Sequence, residues 1–568
     1  MESSLSSLDW VALIGTLGFI TFYGIWKTKN KKTGKEFLVG SKESHWATIG
    51  LGIIATQASA ITFISTPGQG FADGLRFVQF YFGMPIALLL IGIYVVPRYM
   101  SSGVSTAYSF LQKVYGNKVR WLAASLFLLS RSLSAGITLY APGIVLSAVF
   151  GWSLNATILI TGAIVILYTV FGGYKAVSLT QSFQMLVVFI GLFAAGFVLI
   201  QELPDTMSFS KSWDLMAVYD RTKILDWSFN PSNRYTVWSG LAGGFFLAMA
   251  YFGTDQSQVG RYLGGKSKRE IRIGMSFTAL IKIPMQLFIL GLGLMLFTTM
   301  HFSDEPIWHN PSVQSKWQSI SFSEVNSISA VNSINQSWES MISDRRENAI
   351  EFSESNSSFN QELKNELVLL DQKRDSLKNK AEMILVNNYP GIETKDTDYV
   401  FLGWALKSLP MGLLGLLLAV IFSGAMSSCS AELNALSATS IVDFKETFGK
   451  KKETSVFISR ALTAFWGFLA LIIAMSASLS ENLIQLVNII GSLFYGPMLG
   501  LFACAWIFPR FKPSAVFTAG MISQMMVLVL HLLNNLDIIQ LGYLWYNLIG
   551  CICVVIISSI LSLSVSNK

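Results

Sequence analysis

Four places in this 568-residue chain set polar or ionisable side chains inside otherwise apolar runs. In a bilayer such groups are costly, and they pair, line cavities or bind ions. Residues 53–70, IIATQASAITFISTPGQG, carry Thr56, Gln57, Ser59, Thr62, Ser65 and Thr66 and end in Pro-Gly-Gln-Gly. Hydroxyls can be ordinary helix-packing groups, but the Gln57 amide needs a partner. Interrupted helices with freed carbonyls hold Na⁺ and solute near the membrane midplane. Residues 419–440, AVIFSGAMSSCSAELNALSATS, gather Ser423, Ser427, Ser428 and Ser430 around Gly424. These are hard oxygen ligands for a hard cation, or else a polar helix seam. Glu432 follows, facing either the core or a cytoplasmic vestibule. Arg131, in FLLSRSLSAGITLYAPG, faces a cavity or snorkels to the interface, and its planar fork suits a carboxylate. Lys282, in TALIKIPMQ, precedes the helix-bending Pro284 and serves either an ion pair or a solute contact.

The elements that position these groups follow from composition. Hydrophobic residues make up 52% and charged residues 13%, well under the roughly 25% charge of a soluble domain. A spanning helix needs about 20 mostly apolar residues. Thirteen such runs occur, at about 8–26, 47–71, 77–99, 121–150, 154–173, 177–201, 236–258, 273–300, 402–438, 457–477, 483–508, 514–534 and 541–563. This predicts an all-α membrane protein. The first run is no cleaved signal peptide, because its acidic head (Glu2, Asp9) precedes and its basic flank follows it. Every second loop is basic, with clusters at 27–42, 98–120, 261–272 and 445–460. The positive-inside rule then puts the N-terminus outside and the C-terminus in the cytoplasm of a plasma (inner) membrane. Cys429, Cys504, Cys551 and Cys553 all lie in apolar runs and read as buried thiols.

Residues 301–400 differ from the rest, with 16 acidic and 9 basic residues, a net charge of −7 in a chain of net +7. By loop count they lie outside. Leu363, Leu367, Leu370 and Leu377 give the stretch 359–387 an amphipathic helical pattern, read as a solvated decoration dispensable for transport, with a partner-docking site as the alternative.

Four segments in order, YTVFGGYKAVSLTQSFQ (168–184), YFGTDQSQVGRYLGGKS (251–267), SGAMSSCSAELNALSATSIVDF (423–444) and IIGSLFYGPMLGLF (489–502), resemble the sodium/solute symporter family. Its nearest branch carries organic and inorganic anions, including sialic acid. The resemblance implies a leucine-transporter-like fold of two inverted five-helix repeats. The expected organisation is an extra N-terminal helix and basic loop (1–46), a first repeat (47–201) and an outer loop (202–235). A second repeat (236–508) follows, interrupted by the insert (301–400), and then peripheral helices (509–568). In register with the family, a sodium site falls on the carbonyls of Ala55, Ala58 and Gly424 and the hydroxyls of Ser427 and Ser428. A second ion site would fall at Gln181, Ser430 and Glu432. Gln181 stands where an Asp is needed, and Ala431 follows Ser430, so one coupling sodium per solute is expected. For the solute, Ser59 and Thr62 match contact positions of the anion branch. Gln57 replaces the Asp of proline-type members, Tyr251 and Lys282 match the sugar branch, and Thr62 and Tyr81 depart from it. Arg131 would complement a carboxylate.

The function implied is Na⁺-coupled import of a small organic anion by alternating access, with Na⁺, the solute and the bilayer as partners and no cofactor or nucleic acid. The alternatives are a proton-coupled carrier, with Glu432 as the titrating group, and a neutral, sugar-like solute. The sequence has no GxxxxGK[ST] of an ATP-driven pump. It has no nucleophile–base pair of an intramembrane enzyme and no His pair at metal-ligand spacing. A sensor would append a signalling domain, whereas the sequence stops at Lys568 just past the last run.

Overall fold

Backbone polar groups in a bilayer must be satisfied within the chain, which leaves helices as the solution for runs of this length. The computed structural model describes residues 5–27, 45–320, 325–354, 361–445, 455–477 and 482–564. Glu2 and the basic groups at 29–42 and 450–452 lie outside the described residues. Within the described residues every regular element is a helix, with no β-strand.

Ten described helical stretches are long and apolar enough to cross a membrane. The difference from thirteen has a physical reason at three places. The first helix, α1 (Ser7–Lys27), has a shorter apolar stretch. The run at 47–71 is broken into α2 (Trp46–Gln57) and α3 (Ala60–Asp73), and α3 continues with the next run as Ala60–Ser102. The run at 236–258 ends in a second break, described below.

Next come α4 (Asn117–Phe150) and α5 (Leu154–Gln201). In a straight helix residues 12 apart are about 18 Å apart, yet the Tyr168 hydroxyl lies 2.7 Å from Thr180 Oγ1. α5 therefore doubles back between two spans, 154–172 and 183–201. Leu186, Ile190, Phe193, Phe197 and Ile200, at spacings of three and four, form an exposed apolar stripe on the second. A stripe of that kind needs lipid rather than water beside it.

The second broken span comprises α6 (Phe245–Thr254) and α7 (Gln256–Leu263). Asp255 between them is extended, and its side chain accepts from Ser257 N, starting α7 as an N-cap. α8 (Lys268–His301) runs against α2 and α3. A Cβ on Gly293 of α8 would lie 2.0 Å from the Pro67 carbonyl oxygen, and one on Gly70 of α3 would lie 2.4 Å from the Leu290 carbonyl oxygen. Small residues thus let the two backbones touch.

The insert holds α9 (Pro311–Ile320), α10 (Val325–Glu354) and α11 (Gln361–Asn388). It is more than a solvated decoration. Trp308, Trp317, Val331, Trp338, Met341, Leu377 and Leu385 build its own core. Leu363 and Leu367 pack with Met207, Leu215 and Phe352 onto the 202–235 segment. At its base Arg345 meets Glu305 at 2.7 Å. Burial alone would raise the Glu305 carboxyl, but Arg345, Arg374 and His309 bring it well below the usual carboxylate range. Arg221 ties the insert to the spans: its guanidinium donates to the carbonyls of Phe71 and Ala72 near the end of α3 and lies 3.8 Å from Asp371 of α11.

After the insert come α12 (Thr397–Ser408), α13 (Leu413–Thr439) and α14 (Leu483–Ile507). α13 packs against α1, α4 and α5, and almost every residue along it is buried. Its first turn is held by α1. Asp9 Oδ1 accepts from Gly412 N and Gly415 N at 2.8 Å each, satisfying N–H groups that a helix start leaves free.

Candidate functional site

The break between α2 and α3 arises at Ala58 and Ser59. Ala58 turns out of the helix at φ −84, ψ 78, and Ser59 is extended at φ −84, ψ 176. A helix end leaves carbonyls without intrahelical partners, and a helix start leaves N–H groups. The break therefore offers a partly negative end of α2 and a partly positive start of α3 within a few ångströms of each other.

α13 lies directly on this break. A Cβ on Gly424 would meet Ala60 N at 3.0 Å and Ser59 C at 3.2 Å, tighter than ordinary van der Waals contact, so glycine suits this close approach. One turn on, Ser427 Oγ donates to the Ala55 carbonyl at 3.1 Å, and Ser428 Oγ donates to the Gly424 carbonyl at 2.9 Å. Ala55, Ala58, Gly424, Ser427 and Ser428 thus come together at one contact between α13 and the break. The three residues considered for a second ion engage separate partners. Gln181 Nε2 donates to Ser427 Oγ at 2.8 Å, Ser430 pairs with Thr169 at 2.7 Å, and Glu432 meets Arg131 at 2.9 Å.

Beside the break is a cavity of about 120 Å³. Gln57, Ser59, Thr62, Tyr81, Arg131 and Tyr251 all line it, joined by Ser428 and Glu432. Lys282 does not line it. Its Nζ lies 5.4 Å from the centroid of the Tyr81 ring, which does line it.

Arg131 does not snorkel. It is 3% exposed and sits in a network drawn from four elements. Nη1 donates to Glu432 Oε1 at 2.9 Å, and Nη2 donates to Asp255 Oδ2 and Tyr495 Oη. Tyr495 donates in turn to Asp255 at 2.9 Å, and the Tyr251 ring lies 5.3 Å from the guanidinium carbon. Its charge is met by two carboxylates of the protein, Asp255 and Glu432, while its side chain still lines the cavity. Asp255 and Tyr495 were not among the residues singled out from the sequence. The available signal was a carboxylate inside the apolar stretch YFGTDQS. A second buried ion pair, Arg120 with Asp443 at 2.7 Å, joins the start of α4 to the segment that follows α13.

Comparison with known proteins agrees with this architecture. Sodium-coupled monocarboxylate transporter 2 of Bos taurus is 26% identical over 494 residues, covering 87% of this chain and 66% of that protein. Sodium-coupled monocarboxylate transporter 1 of Homo sapiens is 25% identical over 508 residues, covering 88% and 69%. The chain thus spans about two thirds of the length of these relatives. A solved structure described as the substrate-bound outward-open state of a Na⁺-coupled sialic acid symporter superposes with a TM-score of 0.74. It covers 98% of both chains at 18% identity, which shows a shared leucine-transporter-like fold. The sequence model of the sodium:solute symporter family matches residues 37–325 and 379–523, and the unmatched stretch between them falls inside the insert. This chain belongs to the sodium:solute symporter family.

Proposed function

We propose that this protein is a Na⁺-coupled symporter that imports a small organic anion by alternating access. The observation that carries the reading is the broken helix α2–α3 with the hydroxyls of α13 laid against it. The carbonyl end of α2, with Ala55 and Ala58, and the Gly424, Ser427 and Ser428 oxygens offer a weak, neutral, all-oxygen site. That suits an ion that must bind and leave. The start of α3, with Ser59 and Thr62, offers N–H groups and a positive dipole end to a carboxylate in the adjoining cavity. The monocarboxylate transporters among its relatives support an organic acid as cargo.

One sodium per solute is proposed, since Gln181 places a neutral amide on Ser427 where a second ion would need a carboxylate. The repeats are proposed as 47–201 and 236–508. Each opens with a span that breaks, at Ala58–Ser59 and at Asp255, as inverted repeats around a central site do. The proposed setting is the plasma membrane, with the N-terminus and the insert outside.

The test is uptake into proteoliposomes with Na⁺ or choline at fixed pH. Ser427→Ala and Ser428→Ala each remove one oxygen contact of about 1–2 kcal/mol, which corresponds to a roughly 5–30-fold rise in the Na⁺ concentration for half-maximal uptake. Uptake that proceeds equally in choline refutes sodium coupling. An unchanged Na⁺ dependence in both variants refutes the site.

A further inference from the structure

At the insert-side end of the spans a chamber of about 410 Å³ opens beside the tip of α3. Asp73, Arg76, Asp220, Arg221, Arg234 and Gln485 are among the residues that line it. Three guanidiniums thus meet two carboxylates. Asp220 already has Lys223 at 2.7 Å, and Asp73 accepts from Gln69 Nε2. Arg221 is committed to the carbonyls of Phe71 and Ala72 and to Asp371. Arg76 is half-buried and has no ion pair among the described residues. Arg234 Nη1 donates to a neutral amide, Gln485 Oε1, at 3.0 Å. The basic lining is local, because the adjoining insert is acidic, with a net charge of −7.

This chamber is distinct from the central cavity but close to it. Within one turn of α14, Gln485 lines the chamber while Ile484 and Asn488 line the cavity. The Tyr235 ring, on the chamber side, packs edge-on against Phe77 at 5.1 Å, and Phe77 packs against Tyr81 of the cavity wall at 5.9 Å. Buried amides tie this partition across. Gln69 Oε1 of α3 accepts from Asn482 Nδ2 at 2.6 Å and from Gln485 Nε2 at 3.2 Å. Arg234 holds the other end of the same Gln485 amide. An anion in the chamber would offer Arg234 a charged acceptor in place of a neutral one, and such hydrogen bonds are about twice as strong. We propose that the chamber is a second, peripheral site for a small anion, a carboxylate or an inorganic ion, held by Arg76 and Arg234, and that its occupation draws Arg234 off Gln485 and loosens the tie between α3 and α14. The inference rests on the symporter reading only for its use as an entry step, since the binding itself needs neither Na⁺ nor the central cavity.

The probe is trifluoroacetate, a small carboxylate, titrated against the purified full-length protein in choline buffer free of Na⁺, with fluorine NMR line broadening as the readout. Arg76→Gln and Arg234→Gln should each weaken its binding roughly 10-fold, the lower end for losing a hydrogen bond to a charged group. Gln485→Leu removes the competing amide and should tighten binding several-fold, because two groups that compete for one guanidinium weaken each other reciprocally. A merely structural Gln485 would not tighten anything when lost. If Arg234→Gln does not fold, Arg76→Gln and Gln485→Leu decide the matter. Displacement of the probe by propionate but not by chloride identifies an organic carboxylate as the occupant. Equal displacement by chloride identifies an inorganic anion, and either result supports the site. Binding absent in the parent, or unchanged in either arginine variant, overturns the inference. Gln485→Leu that leaves binding unchanged or weaker overturns the competition for Arg234. Intact binding without any Na⁺-driven uptake overturns the symporter reading instead.

Discussion

Replacing Arg131 by Gln is the sharpest test of the buried network, because the sequence and the structure expect different outcomes. A guanidinium reserved for the solute would cost only affinity when lost, about 1.5–3 kcal/mol or roughly 10–100-fold. In the structure Arg131 is bound by Glu432 and Asp255, which are almost fully shielded from solvent. Its loss leaves two buried carboxylates facing each other with no cation between them. Removing one partner of a buried pair costs about 3–5 kcal/mol, or two to three and a half orders of magnitude in the folding equilibrium. Arg131→Gln should therefore lower the thermal unfolding midpoint of the purified protein and reduce its yield, with or without solute. Adding Asp255→Asn removes one of the stranded charges and should recover much of the loss, so the two changes should be strongly non-additive. A single variant as stable as the parent, with only weakened solute affinity, would refute the argument and return Arg131 to the solute.

Gly293→Ala should destabilise the protein by about 1–3 kcal/mol through overpacking, because its Cβ would lie 2.0 Å from a backbone oxygen that cannot yield. The control is Gly291→Ala, which meets nothing within 4 Å and should be neutral or slightly stabilising in the same thermal assay. Asp9→Ala should cost about 0.5–2 kcal/mol by uncapping α13. Asp9→Asn, which keeps an acceptor oxygen, should cost less, and equal losses in the two unfolding curves would count against a capping role. Glu305 is held below its ordinary range in the folded state, so its contribution is fully present above that range and is lost as pH falls through the folded value. Hydrogen exchange across α10 should therefore rise at acid pH in the parent. Glu305→Gln should exchange faster already at neutral pH, with a flatter acid response.

The hydropathy of the runs was enough to set most of the spans, since about 20 apolar residues admit one economical solution in lipid. Local chemistry also marked the decisive break. Thr56, Gln57 and Ser59 interrupt an apolar run, and the Gly424, Ser427 and Ser428 cluster stands out on a helix whose other residues are mostly apolar. Both signals are short-range, and both survive because a membrane makes any polar interruption expensive wherever the chain goes next. Helical periodicity assigns a face to each side chain but does not name the helix opposite. Arg131, Asp255, Glu432 and Tyr495 meet across separations of 124 to 364 residues, and no local pattern carries that information. The same limit hid the place of Lys282 beside the Tyr81 ring and the docking of the insert on the 202–235 segment. The sequence alone therefore determined that this chain crosses a membrane and that the run at 47–71 is interrupted, while the break at Asp255 came only from the structure. Only the tertiary structure decided which charges neutralise one another and which oxygens remain free to meet a solute, because both depend on side chains brought together by helix packing rather than by order along the chain.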